Sequence, residues 1–253
     1  MTQVDQYVRS LERSRASLLR TDRPRTFAMA DREWDLLDGV FAPPFSPSTG
    51  VAMELLGLTG PDREPWRGSL LEVGCGTGVI AVSAALAGCD RVTALDISEQ
   101  AVRNTGMNAA RHGVADRVKV LHSDLFDGLA GGDGADGPAD GDTDGRAGDE
   151  RFDTVYWHSN FVLAPSAYRY ETVHERAYVD PGYRAHRRFL AEAPSYLAEG
   201  GRVLLHFSDR GDLASLHAIA EECGRELRVL RGRSEREGGD AVEHTLFEIA
   251  TAG

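Results

Sequence analysis

Apolar and polar positions along the 253-residue chain follow two periods in turn. Val4, Tyr7, Val8, Leu11, Leu18 and Leu19 recur at helical spacing, so residues 1–20 predict an amphipathic helix. Residues 31–40 suggest a second short helix. Three prolines within residues 41–49 forbid helix interior there and predict an ordered loop, with Ser48 or Thr49 capping a helix over 50–57. From residue 69 a regular alternation begins. Ser69–Val73, Arg91–Leu95, Val118–His122, Phe152–Trp157 and Arg202–Phe207 read as strands. Helices are predicted over 78–87, 98–112, 183–197 and 213–223, the third kinked at Pro194 and stopped by Gly200 and Gly201. Residues 226–231 and 244–250 read as two closing strands with no helix between them, hence an antiparallel pair. Strands alternating with helices predict an α/β, Rossmann-like, doubly wound sheet behind an N-terminal helical extension. The division expected is residues 1–57 as a helical or lid extension and 58–253 as the main domain.

Residues 128–151 break the rhythm. Eight glycines and seven acids with one leucine bury too little apolar surface to offset ordering entropy, so a flexible acidic insertion is expected. Its Asp140-x-Asp142-x-Asp144-Gly145 opens like a calcium loop, but Arg151 stands where the bidentate Glu belongs.

Composition narrows the function. The chain has 28 basic and 40 acidic residues, a net charge of −12, which speaks against a nucleic-acid partner. Its apolar runs are too short for a membrane span, and Asp5 and Glu12 make the N-terminus a poor targeting peptide. Cys75, Cys89 and Cys223 form no CxxC pair, which suits a cytoplasmic protein without a disulfide framework. No histidine pair has a metal-ligand spacing with a third ligand, so no metal is expected.

The strongest chemical signal is Leu70-Leu71-Glu72-Val73-Gly74-Cys75-Gly76-Thr77-Gly78. A strand runs into three alternate glycines, which permit a sharp turn and close approach to a ligand. The spacing is GxGxG with Val79 following, unlike the dinucleotide fingerprint, and the loop has no lysine, unlike a phosphate-binding P-loop. Asp96 ends the second strand of the repeat and Asp124 follows the third, both where open α/β sheets bind ligands.

This ordered set resembles the class I S-adenosylmethionine-dependent methyltransferases over about residues 41–250. The resemblance implies a seven-stranded sheet with an antiparallel last strand and S-adenosylmethionine as cofactor. It implies that Gly74, Gly76 and Gly78 pack along the methionine part and that Glu72 supports the loop. Asp96 would then bind ribose, Asp124 the adenine edge, and Ile97 and Leu125 the faces of the ring. The proline-rich stretch around Phe45 resembles the segment preceding the domain in release-factor glutamine methyltransferases. In those relatives an Asn-Pro-Pro-Tyr motif ends the fourth strand. Here His158, Ser159, Asn160 and Phe161 take those places. The amide-gripping Asn is absent from its position, which points away from glutamine or adenine.

His158, Asn160 and Tyr178 are therefore the catalytic candidates: His158 as a base with a reference pKa near ~6.5, Asn160 to orient a polar acceptor. Phe45, Tyr156, Phe161, Tyr168 and Ser208 are the substrate-wall candidates. The expectation is a monomeric or homodimeric enzyme methylating a small-molecule amine or hydroxyl. The alternative is cyclisation of the cofactor itself to azetidine-2-carboxylate and methylthioadenosine.

Overall fold

The computed structural model describes residues 3–130, 150–237 and 239–251. It opens with α1 (Gln3–Leu19), the hairpin β1 (Thr26–Met29) and β2 (Arg32–Asp35), and α2 (Ser48–Leu55). The repeat follows as β3 (Ser69–Val73), α3 (Val79–Leu86), β4 (Arg91–Asp96), α4 (Glu99–Arg111) and β5 (Val118–His122). Then come α5 (Asp127–Ala130), β6 (Phe152–His158), and a short parallel pair, β7 (Val162–Ala164) and β8 (Val179–Pro181). The chain closes with α6 (Arg184–Glu192), β9 (Leu197–Ser208), α7 (Leu213–Glu222), β10 (Arg225–Glu237) and β11 (Asp240–Thr251).

Seven strands form the main sheet in the order β10-β11-β9-β6-β3-β4-β5. β3 pairs parallel with both β4 and β6, while β11 runs antiparallel to β9 and β10. The expected doubly wound sheet with antiparallel closing strands is therefore present. The chain builds outward from β3 through β4 to β5, then returns to lay β6 on the other side of β3. That reversal opens a crevice at the carboxyl ends of β3 and β6, where such sheets receive ligands.

Alternation along β3 divides the core. Leu70 joins one apolar layer with α2, α3 and the hairpin, and Leu71 and Val73 join the other with Phe189, Leu190 and Leu216. In α3, Ala81, Ala84 and Ala85 are wholly buried, small enough to let the helix lie close on the sheet.

Four local expectations need correction. Residues 31–40 are not a helix: Ala30 and Asp31 both take left-handed φ (51° and 57°), the conformation of a two-residue hairpin turn. Trp34 is then fully buried and donates its indole N–H to the Met29 carbonyl (3.0 Å). Neither Ser48 nor Thr49 caps α2; Pro47 precedes it, and Ser48 already sits in the first turn. The helix predicted over 183–197 ends at Glu192, because Pro194 starts a 3-10 turn over Ala193–Tyr196. Residues 128–130 belong to α5; the calcium-like stretch and most of the expected insertion lie outside the described residues.

Residues 161–183 fold as β7, a 3-10 turn over Val173–Ala177, and β8. α1 packs across this segment. Leu11 meets Val162, Ala164 and Val179, Ser10 Oγ donates to the Tyr178 carbonyl (2.9 Å), and Ser14 Oγ meets His174 Nδ1 (2.8 Å). Among the described residues, no helix is long and apolar enough to cross a membrane.

Candidate active site

The glycine turn starts where β3 ends. The amides of Gly74 and Cys75 both donate to the Leu95 carbonyl (2.8 and 3.0 Å), which folds the loop back over β4. Gly78 sits at φ 78° as the residue before α3, and a Cβ there would lie 2.7 Å from Thr105. Only glycine satisfies both the left-handed backbone and the contact with α4.

Asp96 closes the loop from the neighbouring strand. Its Oδ2 accepts from the Gly76 amide (2.9 Å) and its Oδ1 from the Ser98 amide (2.9 Å). Burial raises its pKa, and those amide bonds oppose the rise. Glu72 is buried beneath the turn, 2% exposed, with Oε2 unpartnered, and burial pushes its pKa well up.

These residues line one cavity of about 660 Å³. Glu72, Gly74, Gly76, Asp96, Ile97, Asp124, Leu125, His158, Asn160, Phe161, Tyr178 and Phe45 all contribute to its wall. Gly78 stands just behind the wall, in the turn. Tyr156, Tyr168 and Ser208 also lie outside it. Tyr156 shares the sheet face of Glu72 and is buried in the α3-side core. Tyr168 turns toward the outer segment, donating to Glu175 Oε2 (2.9 Å). Ser208 Oγ accepts from the Arg210 amide (3.4 Å).

Asp124 is not bare. Oδ2 receives Arg176 Nη1 (3.0 Å) and Oδ1 receives Arg188 Nη1 (3.4 Å). Asn160 is braced from the other side: its Nδ2 donates to the carbonyls of Arg176 (2.9 Å) and Val179 (3.0 Å), and its buried Oδ1 has no partner. Phe161 beside it holds φ 43°.

Burial lowers the pKa of His158 to about 3, so its ring is neutral near pH 7. The ring stacks on His206 at 4.4 Å between centroids. His206 Nε2 meets His244 Nδ1 (3.0 Å), His244 Nε2 meets Glu237 Oε1 (3.2 Å), and Arg210 pairs with Glu237 (2.6 Å). Glu237 and Arg210 also line the cavity, as do Cys75, Trp157, Arg13 and Arg176. Sequence reasoning did not single out these wall residues beyond the glycine motif. Cys75 aside, they come from α1, β6, the outer segment, the turn after β9 and the closing hairpin, and no local motif marks them.

The cavity suits S-adenosylmethionine on its own features. The donor set couples carboxylates at the ends of β4 and β5 with a glycine turn that a side chain would fill, and Glu72 offers an unpartnered buried oxygen. Among the described residues no group of three metal-ligating side chains converges.

Comparison with known proteins adds the family. The family described as ribosomal protein L11 methyltransferase (PrmA) matches residues 47–136. A ribosomal protein L11 methyltransferase of Desulforamulus reducens is 44% identical over 59 residues, 23% of this chain and 19% of that protein. A ribosomal protein uL3 glutamine methyltransferase of Francisella tularensis is 26% identical over 162 residues, 61% of this chain and 44% of that one. The chain thus spans less than half the length of each of these two relatives. Among solved structures, ribosomal protein L11 methylase of Lactobacillus delbrueckii shares the fold, with a TM-score of 0.50 and 18% identity over 81% of this chain and 79% of that one. A chain described as a methyltransferase, SMU.776, complexed with SAH, has a TM-score of 0.55 and 14% identity over 90% of this chain and 57% of that one.

The relatives named for an acceptor act on ribosomal proteins, which overturns the small-molecule acceptor expected from the sequence. The sheet order and the family match that spans the glycine turn support a class I S-adenosylmethionine-dependent methyltransferase.

Proposed function

We propose that the chain transfers the methyl group of S-adenosylmethionine to a nitrogen on a protein. The observation that carries the reading is Asn160. Both of its N–H donors are directed to backbone carbonyls, so the carboxamide is oriented, and its buried Oδ1 is an acceptor left without a partner in a residue of the cavity wall. An acceptor-only atom in that place suits an incoming N–H group. The ribosomal-protein relatives support a protein as the bearer of that nitrogen. No observation favours the cyclisation alternative.

The cofactor, when bound, supplies a methyl group already activated on a sulfonium. The chain's own residues then position and shield. In this reading Asp96 accepts the ribose hydroxyls, Asp124 accepts from the adenine amine, and the Gly74–Gly78 turn lies along the methionine part. Ile97 and Leu125 flank the ring. Asn160 Oδ1 holds the acceptor N–H so that the nitrogen lone pair faces the methyl carbon, the kind of alignment that lowers such a barrier. His158, Phe161 and Trp157 form an aromatic wall around the reacting atoms that excludes water. With a pKa of about 3, His158 contributes a neutral surface there rather than a strong base.

The test is direct. Purified chain is incubated with recombinant ribosomal proteins L11 and uL3 and with total ribosomal protein, using S-adenosylmethionine carrying a deuterated methyl group. Peptide mass mapping reads the product. A labelled methyl on a nitrogen-bearing residue, lost in Asn160→Leu, is the expected result. Bound cofactor with no label in any of the three would overturn the protein acceptor.

A further inference from the structure

One residue connects the two ends of the cavity. Arg176 lies in the 3-10 turn between β7 and β8, and its guanidinium donates to Asp124 Oδ2 (3.0 Å). Its carbonyl accepts from Asn160 Nδ2 (2.9 Å). The guanidinium also lies over the Tyr170 ring, 4.9 Å from its centroid. Tyr170 in turn donates its hydroxyl to the Val179 carbonyl (3.1 Å), the second anchor of Asn160.

Geometry makes this linkage directional. A carboxylate has about four acceptor positions, so Asp124 can receive Arg176, Arg188 and still one further N–H. With one guanidinium on each oxygen, the carboxylate plane cannot swing freely. Arg188 is itself tied to Asp127 (2.7 Å) and Glu192 (3.0 Å), which fixes that side. Arg176 fixes the other, and it alone belongs to the segment that also holds Asn160.

We propose that Arg176 is a positioning residue: it aims Asp124 at the adenine amine and transmits the occupancy of that end to Asn160 at the acceptor end. The inference rests on the reading that Asp124 receives adenine. Filling the adenine end sets the Asp124 plane, Arg176 follows, and its carbonyl and Tyr170 set the carboxamide of Asn160. The acceptor side is thereby ordered after the cofactor side.

The experiment needs no acceptor. Calorimetry compares S-adenosylhomocysteine with S-inosylhomocysteine, which carries a carbonyl oxygen in place of the adenine amine. The intact wild-type chain, Arg176→Gln, Arg176→Lys and Asp124→Asn are titrated with both. Side-chain amide NMR, with the Asn160 signals assigned by Asn160→Asp, follows the acceptor end. Wild type is expected to favour the adenosyl ligand at least tenfold, and Asp124→Asn to abolish that preference. Arg176→Gln should cut it about threefold or more, and Arg176→Lys should recover part of it. The Asn160 amide signals should shift on ligand binding in wild type and shift less in Arg176→Gln. Thermal melts of the free variants guard against simple misfolding, and Arg176→Lys keeps the charge if Arg176→Gln is unstable. An unchanged preference in Arg176→Gln, including equal weakening of both ligands, overturns the inference, and so do Asn160 signals that ignore the ligand. A wild type with no preference overturns instead the reading of Asp124 on which it stands.

Discussion

At the residue scale the glycine turn makes the sharpest demand. Gly78→Ala must place a methyl group 2.7 Å from Thr105 on a backbone at φ 78°. The left-handed backbone alone costs roughly 1–2 kcal/mol, and the contact with α4 adds to it. Gly78→Ala is expected to lower the melting temperature by several degrees and to weaken cofactor binding. Gly113→Ala, also left-handed but with open space around it, should show the backbone cost alone. His158 gives a second prediction. Because burial lowers its pKa to about 3, its ring should stay neutral from pH 8 down to about pH 5. Imidazole nitrogen NMR shifts that remain those of a neutral ring over that range would agree, and a midpoint near 6.5 would not. The sign follows from linkage: the unfolded chain binds a proton at His158 near ~6.5 that the folded chain refuses. This group therefore stabilises the fold above that pH, and its contribution declines as pH falls toward 3. Cys75 stays neutral for the same reason, with its shift in the opposite direction. Burial, with Asp96 and Glu72 nearby, pushes its thiol well up, so iodoacetamide at pH 8 should label half-buried Cys223 well before Cys75.

At the scale of elements, α4 fastens the N-terminal hairpin to the domain. Asn108 Oδ1 accepts from the Asp35 amide (2.7 Å), and its Nδ2 donates to the carbonyls of Asp35 (3.0 Å) and Thr77 (2.8 Å). Asn104 repeats the device, accepting from Leu37 and donating to Asp35 (both 2.8 Å). Asn108→Ala orphans the Asp35 amide and the Thr77 carbonyl, while Asn104 still serves the Asp35 carbonyl, so a loss of about 2–4 kcal/mol is expected in urea unfolding. A change below about 0.5 kcal/mol would show that Asn108 does not hold the hairpin. These contacts also show what the sequence could and could not reveal. The βα repeat from residue 69 onward was legible because each strand is a short apolar run and some of its helices carry a start signal. The Ser98 cap, whose Oγ accepts from the Ala101 amide (3.4 Å), is one such signal. The β1–β2 hairpin was not legible, because Ala30 and Asp31 are not the usual residues of its turn and tertiary bonds from α4 impose it. Asp96 and Asp124 could be read because they end strands. Arg176, Glu237 and Arg13 could not, because only the folded chain brings the outer segment, the closing hairpin and α1 to one cavity.

At the scale of the whole molecule, the fold places α1 and residues 161–183 over the crevice at the carboxyl ends of the strands. In the proposed reading β3 to β5 with their turns form the adenosyl side, and α1 with residues 161–183 covers the other. We propose that this cover is the lid expected of the N-terminal extension, since Leu11, Ser10 and Ser14 bind it to the outer segment. A ligand held by so many elements should stabilise the entire chain: at a hundredfold excess over its Kd, S-adenosylhomocysteine would add about 2.7 kcal/mol by mass action. Asp96 matters more than any other side chain, since it both shapes the glycine turn and lines the cavity. Calorimetric titration of S-adenosylhomocysteine into wild type and Asp96→Ala tests it most directly. One-to-one binding that weakens at least tenfold in Asp96→Ala is the predicted result, whereas a wild type that does not bind, or a variant that binds as well, would contradict it.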